Sequence, residues 1–146
     1  MKAYVDSSVM LRVVLQEPNA LMEWPQITRG ITSTLMRVEC CRSLDRLVRD
    51  GNITDDQYTL KLSEVDRILA TMAVLRISSD VLSAASRRLG IRVDTLDAIH
   101  LATAERYRRT HVAEAAPMFA THDRTLAAAA RHVGFEVIGS PLESPA

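Results

Sequence analysis

Short β-rich runs recur along this chain, and a helix-like stretch follows nearly every one of them. The runs are KAYV (Lys2 to Val5), GITS (Gly30 to Ser33), AVLRIS (Ala73 to Ser78), MFAT (Met118 to Thr121) and FEVI (Phe135 to Ile138). Strands alternating with helices predict an α/β domain built on a central, mostly parallel sheet of about five strands flanked by helices. Ligands of such sheets bind outside the carboxyl ends of the strands, where strand order reverses. The pattern therefore says where to look for function before any motif is considered.

Helix signals fill the gaps between the runs. Ser7 or Ser8 can cap a helix that runs through VMLRVVLQ toward Pro18, and a short second helix is expected over Asn19 to Trp24, stopped by Pro25. From Thr34 to Asp50 the apolar stripe Met36, Cys40, Leu44, Leu47 and Val48 has the spacing of a core-facing helix, with Gly51 as its stop. Thr54 and Gln57 form a capping box that opens a helix to about Ala70. SSDVLSAASRRLG is expected to be helical from Ser78 to a stop at Gly90. Thr95 is expected to cap a helix reaching about Arg109, and DRTLAAAARHV a last helix stopped by Gly134. A tail from Ser140 is expected to be loose.

With 146 residues, 47% of them hydrophobic and 25% charged, the chain suits a single domain spanning residues 1–146. No apolar run approaches the roughly 18 residues of a membrane span, and the start MKAYVD has no secretory core, so a cytoplasmic protein without a membrane partner is expected. The only cysteines, Cys40 and Cys41, are neighbours in a helix, where they cannot pair with each other and serve as small core or surface residues. Net charge is zero, yet Lys2 and Lys61 are the only lysines among 18 basic residues. Arginine forks suit phosphate as well as carboxylate, so neutrality does not exclude a nucleic-acid partner.

Four acids fall where the predicted architecture would bring them together. Asp6 ends the first strand, Glu39 lies one turn into the helix after the second, Asp123 follows the fourth strand, and Asp97 opens a helix that can face the same edge. Clustered carboxylates repel and take up protons unless a cation compensates them. All-oxygen ligation suits Mg²⁺ or Mn²⁺, whose natural chemistry with phosphate is phosphodiester hydrolysis. Each acid also has a plainer reading: Asp6 and Asp123 as helix caps, Glu39 as a solvated helix residue, Asp97 as a carboxylate favoured by a helix dipole. His100 reads as a packed histidine rather than a base partnered by Asp97, because no activated nucleophile accompanies the pair. His122 reads as an exposed loop residue and Asp94 as a turn or capping residue. Asp97 is expected to face the cleft while Leu96, Ile99 and Leu101 face the core.

YVDSS, Glu39, LDAIHLATA with Asp97 and FATHDRTLAAAA with Asp123 together resemble the PIN-domain ribonucleases, and within them the bacterial VapC toxins. The resemblance covers about residues 2 to 138 and is most specific in LDAIHLATA. It implies a PIN-like three-layer sandwich and a catalytic Mg²⁺ or Mn²⁺ site made of Asp6, Glu39, Asp97 and Asp123, supported by the hydroxyls of Ser8 and Thr121. It further implies endonucleolytic cleavage of RNA, with transfer or ribosomal RNA as substrate, to stop translation. The implied partners are a cognate antitoxin, which also mediates contact with operator DNA, and a second copy of the toxin.

Arginines are the candidate RNA contacts: Arg37 and Arg42 lie nearest Glu39, with Arg12, Arg46, Arg87, Arg88, Arg92, Arg106, Arg108 and Arg109 behind them. Trp24 and Tyr107 read as packed rather than stacking residues, which leaves recognition to phosphate and shape. Two other readings stay open on the residues alone. One is a non-catalytic scaffold that binds RNA or a partner; the other is a Mg²⁺-dependent phosphoryl-accepting α/β domain, for which both lysines are badly placed.

Overall fold

The computed structural model describes residues 1–140, so the expected loose tail lies outside the described residues beyond Ser140. Its sheet has the order β3-β2-β1-β4-β5, formed by β1 (Lys2–Val5), β2 (Arg29–Ser33), β3 (Ala73–Leu75), β4 (Met118–Ala120) and β5 (Val137–Ile138). Every pairing is parallel, with Tyr4 of β1 set between Ile31 and Phe119. The chain builds outward from β1 in one direction through β2 and β3, then returns to its other side for β4 and β5. The switch point thus lies between β1 and β4.

Alternation along β1 separates the two helical layers. Ala3 and Val5 join a core with Val9, Met10 and Val14 of α1 (Ser7–Val14), Met36 and Cys40 of α2 (Leu35–Arg49), and Val65 and Ile68 of α3 (Asp55–Leu69). Tyr4 points the other way, into a core with Leu101, Ala104 and Tyr107 of α5 (Thr95–Thr110), Leu126, Ala129 and Ala130 of α6 (Arg124–His132), and Phe119. The last helix, α4 (Ser79–Ala85), packs on α5. The result is the expected α/β sandwich of helices, sheet and helices. Among the described residues no helix is long and apolar enough to cross a membrane.

Where the determinants are local, the expected elements form. Thr54 Oγ1 accepts from Gln57 N at 3.1 Å while Thr54 N donates to Gln57 Oε1 at 2.8 Å, completing the capping box of α3. Met36, Cys40 and Leu44 are fully buried on α2. Cys40 and Cys41 are free thiols, and burial pushes the Cys40 thiol up to about 12, which leaves it inert near neutrality.

Several boundaries differ from expectation. Residues 19–23 form turns, not a helix, and Pro25 sits inside a single 3₁₀ turn, Trp24–Gln26, whose early positions tolerate a missing N–H. β3 stops at Leu75 because Ser78 is used as the cap of α4, its Oγ accepting from Val81 N. α4 itself ends at Ala85, well before Gly90: Ser86 Oγ bonds back to Leu82 O at 2.8 Å, a side-chain competitor for the helix ladder. Asp94, not Thr95, occupies the cap position of α5, and its side chain makes no capping bond. Residues 94–96 all stand clear of the packed layers, so Leu96 is 47% exposed, whereas Ile99 is half-buried and Leu101 is buried as expected.

Gly139 closes β5 against the switch point. Its φ is +88°, and a Cβ there would lie 2.8 Å from the backbone oxygen of Thr121. Gly51 shares the left-handed conformation, φ +75°, with no atom within 4 Å of a built Cβ. Gly139→Ala is therefore expected to lower the unfolding free energy in urea by about 2–4 kcal/mol, and Gly51→Ala by only about 1 kcal/mol.

Candidate active site

Asp6 leaves β1 and immediately caps α1. Its Oδ1 accepts from Ser8 N at 3.1 Å, Val9 N at 3.3 Å and Ser8 Oγ at 2.6 Å, and its Oδ2 accepts from Thr121 Oγ1 at 2.8 Å. Ser8 Oγ in turn accepts from His122 N at 2.8 Å, and Thr121 Oγ1 accepts from Asp123 N at 3.0 Å. These bonds lace the β1–α1 junction to the β4–α6 junction across the switch point. Capping is thus real for Asp6, and for Asp123 as well, whose Oδ1 accepts from Leu126 N at 2.8 Å. Only one oxygen of Asp123 is engaged this way, and the residue is exposed.

Burial pushes the Asp6 carboxyl above its ordinary value, although the hydrogen bonds from Ser8 and Thr121 act in the opposite direction. Asp97, in the first turn of α5, is pushed up to about 6, first by partial burial, then by repulsion from Asp123 and Asp6. Asp94 adds to that repulsion, while His100 opposes it. Asp97 makes no hydrogen bond or ion pair among the described residues. Asp6 and Asp123, the caps of α1 and α6, thus both act on Asp97 in α5.

Glu39 is held differently. Its Oε2 lies 2.6 Å from His100 Nε2, and His100 Nδ1 lies 2.9 Å from the hydroxyl of Tyr4. His100 is buried as expected, but its partners are Glu39 and Tyr4 rather than Asp97. Tyr4, fully buried beneath the site, was legible in the sequence only as a strand residue. His122 is half-buried rather than exposed, with Nδ1 at 2.7 Å from Gly139 O and a buried, unpartnered Nε2. It lines a cavity of about 670 Å³ with Arg12, Leu21, Met22, Arg131 and Ile138, and none of the four acids does so.

The donor set fits a hard cation in its chemistry, since all four groups are carboxylates and Asp97 is repelled by Asp123, Asp6 and Asp94. The fit is an open one. Among the described residues no three metal-ligating side chains are gathered closely enough to enclose an ion unaided. Ions that keep several waters suit such spacing better than a closed protein cage.

The arginines are largely committed. Arg37 forks onto Asp66 of α3 at 2.7 and 3.1 Å, and Arg42 lies 3.5 Å from Asp45 on its own helix. Arg87 pairs with the buried Glu105, Arg106 bonds Ser78, and Arg108 bonds Val133 O and Gly134 O. Arg88 and Arg92, exposed on the loop leading into α5, make no ion pair among the described residues. Lys2 pairs with Glu114, and Lys61 donates to Val14 O. Neither lysine reaches the acids, which removes the basis of a phosphoryl-accepting domain. Tyr107 is packed as expected, 3% exposed and stacked on His111.

A family model for the PIN domain matches residues 3–132. The chain is 32% identical over 145 residues to Ribonuclease VapC47 of Mycobacterium tuberculosis, an alignment covering 94% of this chain and 96% of that protein. Among solved structures, FitAB bound to an IR36 DNA fragment matches with a TM-score of 0.69 at 15% identity, covering 97% of this chain and 98% of that one. A toxin-antitoxin complex from Klebsiella pneumoniae matches with a TM-score of 0.58 at 18% identity, covering 86% and 91%. At such identities the structural matches speak for the fold alone.

The electrostatics of Asp97 generate a stability prediction for metal-free protein. Its folded value of about 6 exceeds its ordinary 3.8, so between those pH values the folded state binds more protons than the unfolded one. Stability contributed here is intact below the ordinary value and falls as pH rises toward the folded one. Asp97→Asn in chelator is expected to raise the melting temperature at pH 7.5, and the gain to vanish near pH 4. After allowance for solvent screening of a half-exposed group, the gain is on the order of 1 kcal/mol.

Proposed function

The chain belongs to the PIN domain family, alongside VapC ribonucleases, and from that membership we propose that it is a metal-dependent endoribonuclease, the toxin of a toxin-antitoxin pair. The observation that carries this reading is the lacing of Asp6 and Asp123 through Thr121 across the switch point of a parallel sheet, with Asp97 on α5 repelled by both acids. Carboxylates held together against their own charge make chemical sense where a cation joins them.

Asp97, with Glu39 and Asp123 through the oxygen that each leaves unbonded and Asp6 through a remaining lone pair of Oδ2, would hold Mg²⁺ or Mn²⁺. When bound, such an ion supplies charge neutralisation at the phosphate, a more acidic water and a stabilised leaving oxygen. The chain's own residues fix the ligands: Ser8 and Thr121 orient Asp6, and the cap of α6 orients Asp123. Transfer or ribosomal RNA is the proposed substrate class, which accords with a cytoplasmic site of action. An antitoxin partner is supported by the toxin-antitoxin complex among the structural matches, and contact with operator DNA through it by the DNA-bound FitAB assembly. A toxin homodimer completes the proposed assembly.

RNA engagement through Arg37 or Arg42 requires displacing Asp66 or Asp45, whereas Arg88 and Arg92, exposed and without an ion pair among the described residues, could contact phosphate without that exchange. The open spacing of the acids favours one second reading, a PIN scaffold that binds RNA or a partner without cutting it.

Purified protein incubated with total RNA distinguishes the two. Cleavage is expected with Mg²⁺ and not with chelator, and Asp97→Asn is expected to reduce it by about two orders of magnitude or more. Equal cleavage by the variant overturns the mechanism, and RNA binding without cleavage establishes the scaffold. For Arg92→Ala, weaker RNA binding is expected, with the slope of log affinity against log salt reduced by about 0.7, the value for one lost single-strand phosphate contact.

A further inference from the structure

His100 offers a packing explanation for itself, since both ring nitrogens are satisfied in a nearly fully buried site. Its two partners, however, arrive from different layers. Tyr4 comes up from the central strand and Glu39 comes over the sheet end from α2, so the imidazole bridges the core to Glu39, an acid that caps no helix.

With Glu39 ionised and the imidazole neutral, hydrogen-bond inventory sets the direction of this chain. A carboxylate only accepts, so the proton between His100 and Glu39 belongs on Nε2. A neutral imidazole then carries a bare Nδ1, which needs a donor, and the Tyr4 hydroxyl stands 2.9 Å away to supply one. The order is Tyr4 O–H to Nδ1, then Nε2–H to Glu39 Oε2. One oxygen of Glu39 is pinned and the other remains open.

We propose that Tyr4 and His100 are positioning residues for Glu39: the tyrosine fixes the imidazole tautomer, and the imidazole fixes the carboxylate oxygen that leaves its neighbour free for a cation. This inference rests on the metal-dependent reading above. It assigns function to two buried residues that touch neither substrate nor metal. The arrangement follows the general logic by which outer-shell partners set the aim and basicity of a ligand.

Two measurements test it. In metal-free wild-type protein, two-bond ¹H–¹⁵N correlations of the imidazoles are expected to show His100 as the Nε2–H tautomer, and Tyr4→Phe to show a mixture. Calorimetric titration with Mn²⁺ alone is expected to give His100→Leu an affinity about 10–100-fold below wild type. His100→Gln, whose amide nitrogen can replace the Nε2 donor, recovers most of that loss. The double variant Glu39→Gln/His100→Leu binds no more weakly than Glu39→Gln, because the histidine acts through the glutamate. If His100→Leu fails to fold by circular dichroism, Tyr4→Phe carries the test, since its ring keeps the stacking on Phe119. An Nδ1–H tautomer in wild type, or wild-type Mn²⁺ affinity in the folded His100 or Tyr4 variants, overturns the relay alone. A wild-type protein that binds no Mn²⁺ overturns the functional reading, and the relay's role with it.

Discussion

A single carboxylate, that of Asp6, organises the carboxyl end of the sheet. It accepts from two backbone N–H groups at the start of α1 and from the hydroxyls of Ser8 and Thr121, which belong to opposite sides of the switch point. The same atoms therefore start a helix and close the gap between β1 and β4. Hydrogen bonding of this density ordinarily favours the charged form, yet burial outweighs it and raises the carboxyl's proton affinity. The fold thus fixes the direction of the Asp6 carboxylate and leaves its charge incompletely compensated.

That imbalance separates the acids by role. Asp6 and Asp123 are anchored by capping, Glu39 by a histidine, and Asp97 by nothing but its place on α5. Asp97 accordingly feels repulsion most openly. For Asp6 and Asp123 the helix cap is what sets the direction of the carboxylate.

Legibility of the sequence followed the range of the determinants. The capping box of Thr54 and Gln57 is settled within four residues, and both of its bonds form. Strand exits were equally plain, so the acids at Asp6 and Asp123 could be placed before any coordinates. What escaped depends on other elements. Leu96 has an apolar side chain on an apolar helix, but the turn that carries it overhangs the layers. Arg37 was a candidate RNA contact for its nearness to Glu39 in sequence, and only the packing of α3 on α2 reveals its partner Asp66. His100 read as packed from the sequence, but its partner Glu39 emerges only when α2 brings it across the sheet end, a contact between residues 61 positions apart.

The bond between Asp6 and Thr121 joins residues 115 positions apart. Loop closure over that separation is an entropic cost met only when β4 docks beside β1, after β2, β3 and the intervening helices exist. During synthesis the ribosome therefore holds a chain whose first acid has been made long before its latch. Asp6 and Asp123 thus meet only once the later strands have joined the sheet, so their juxtaposition is set late and by topology.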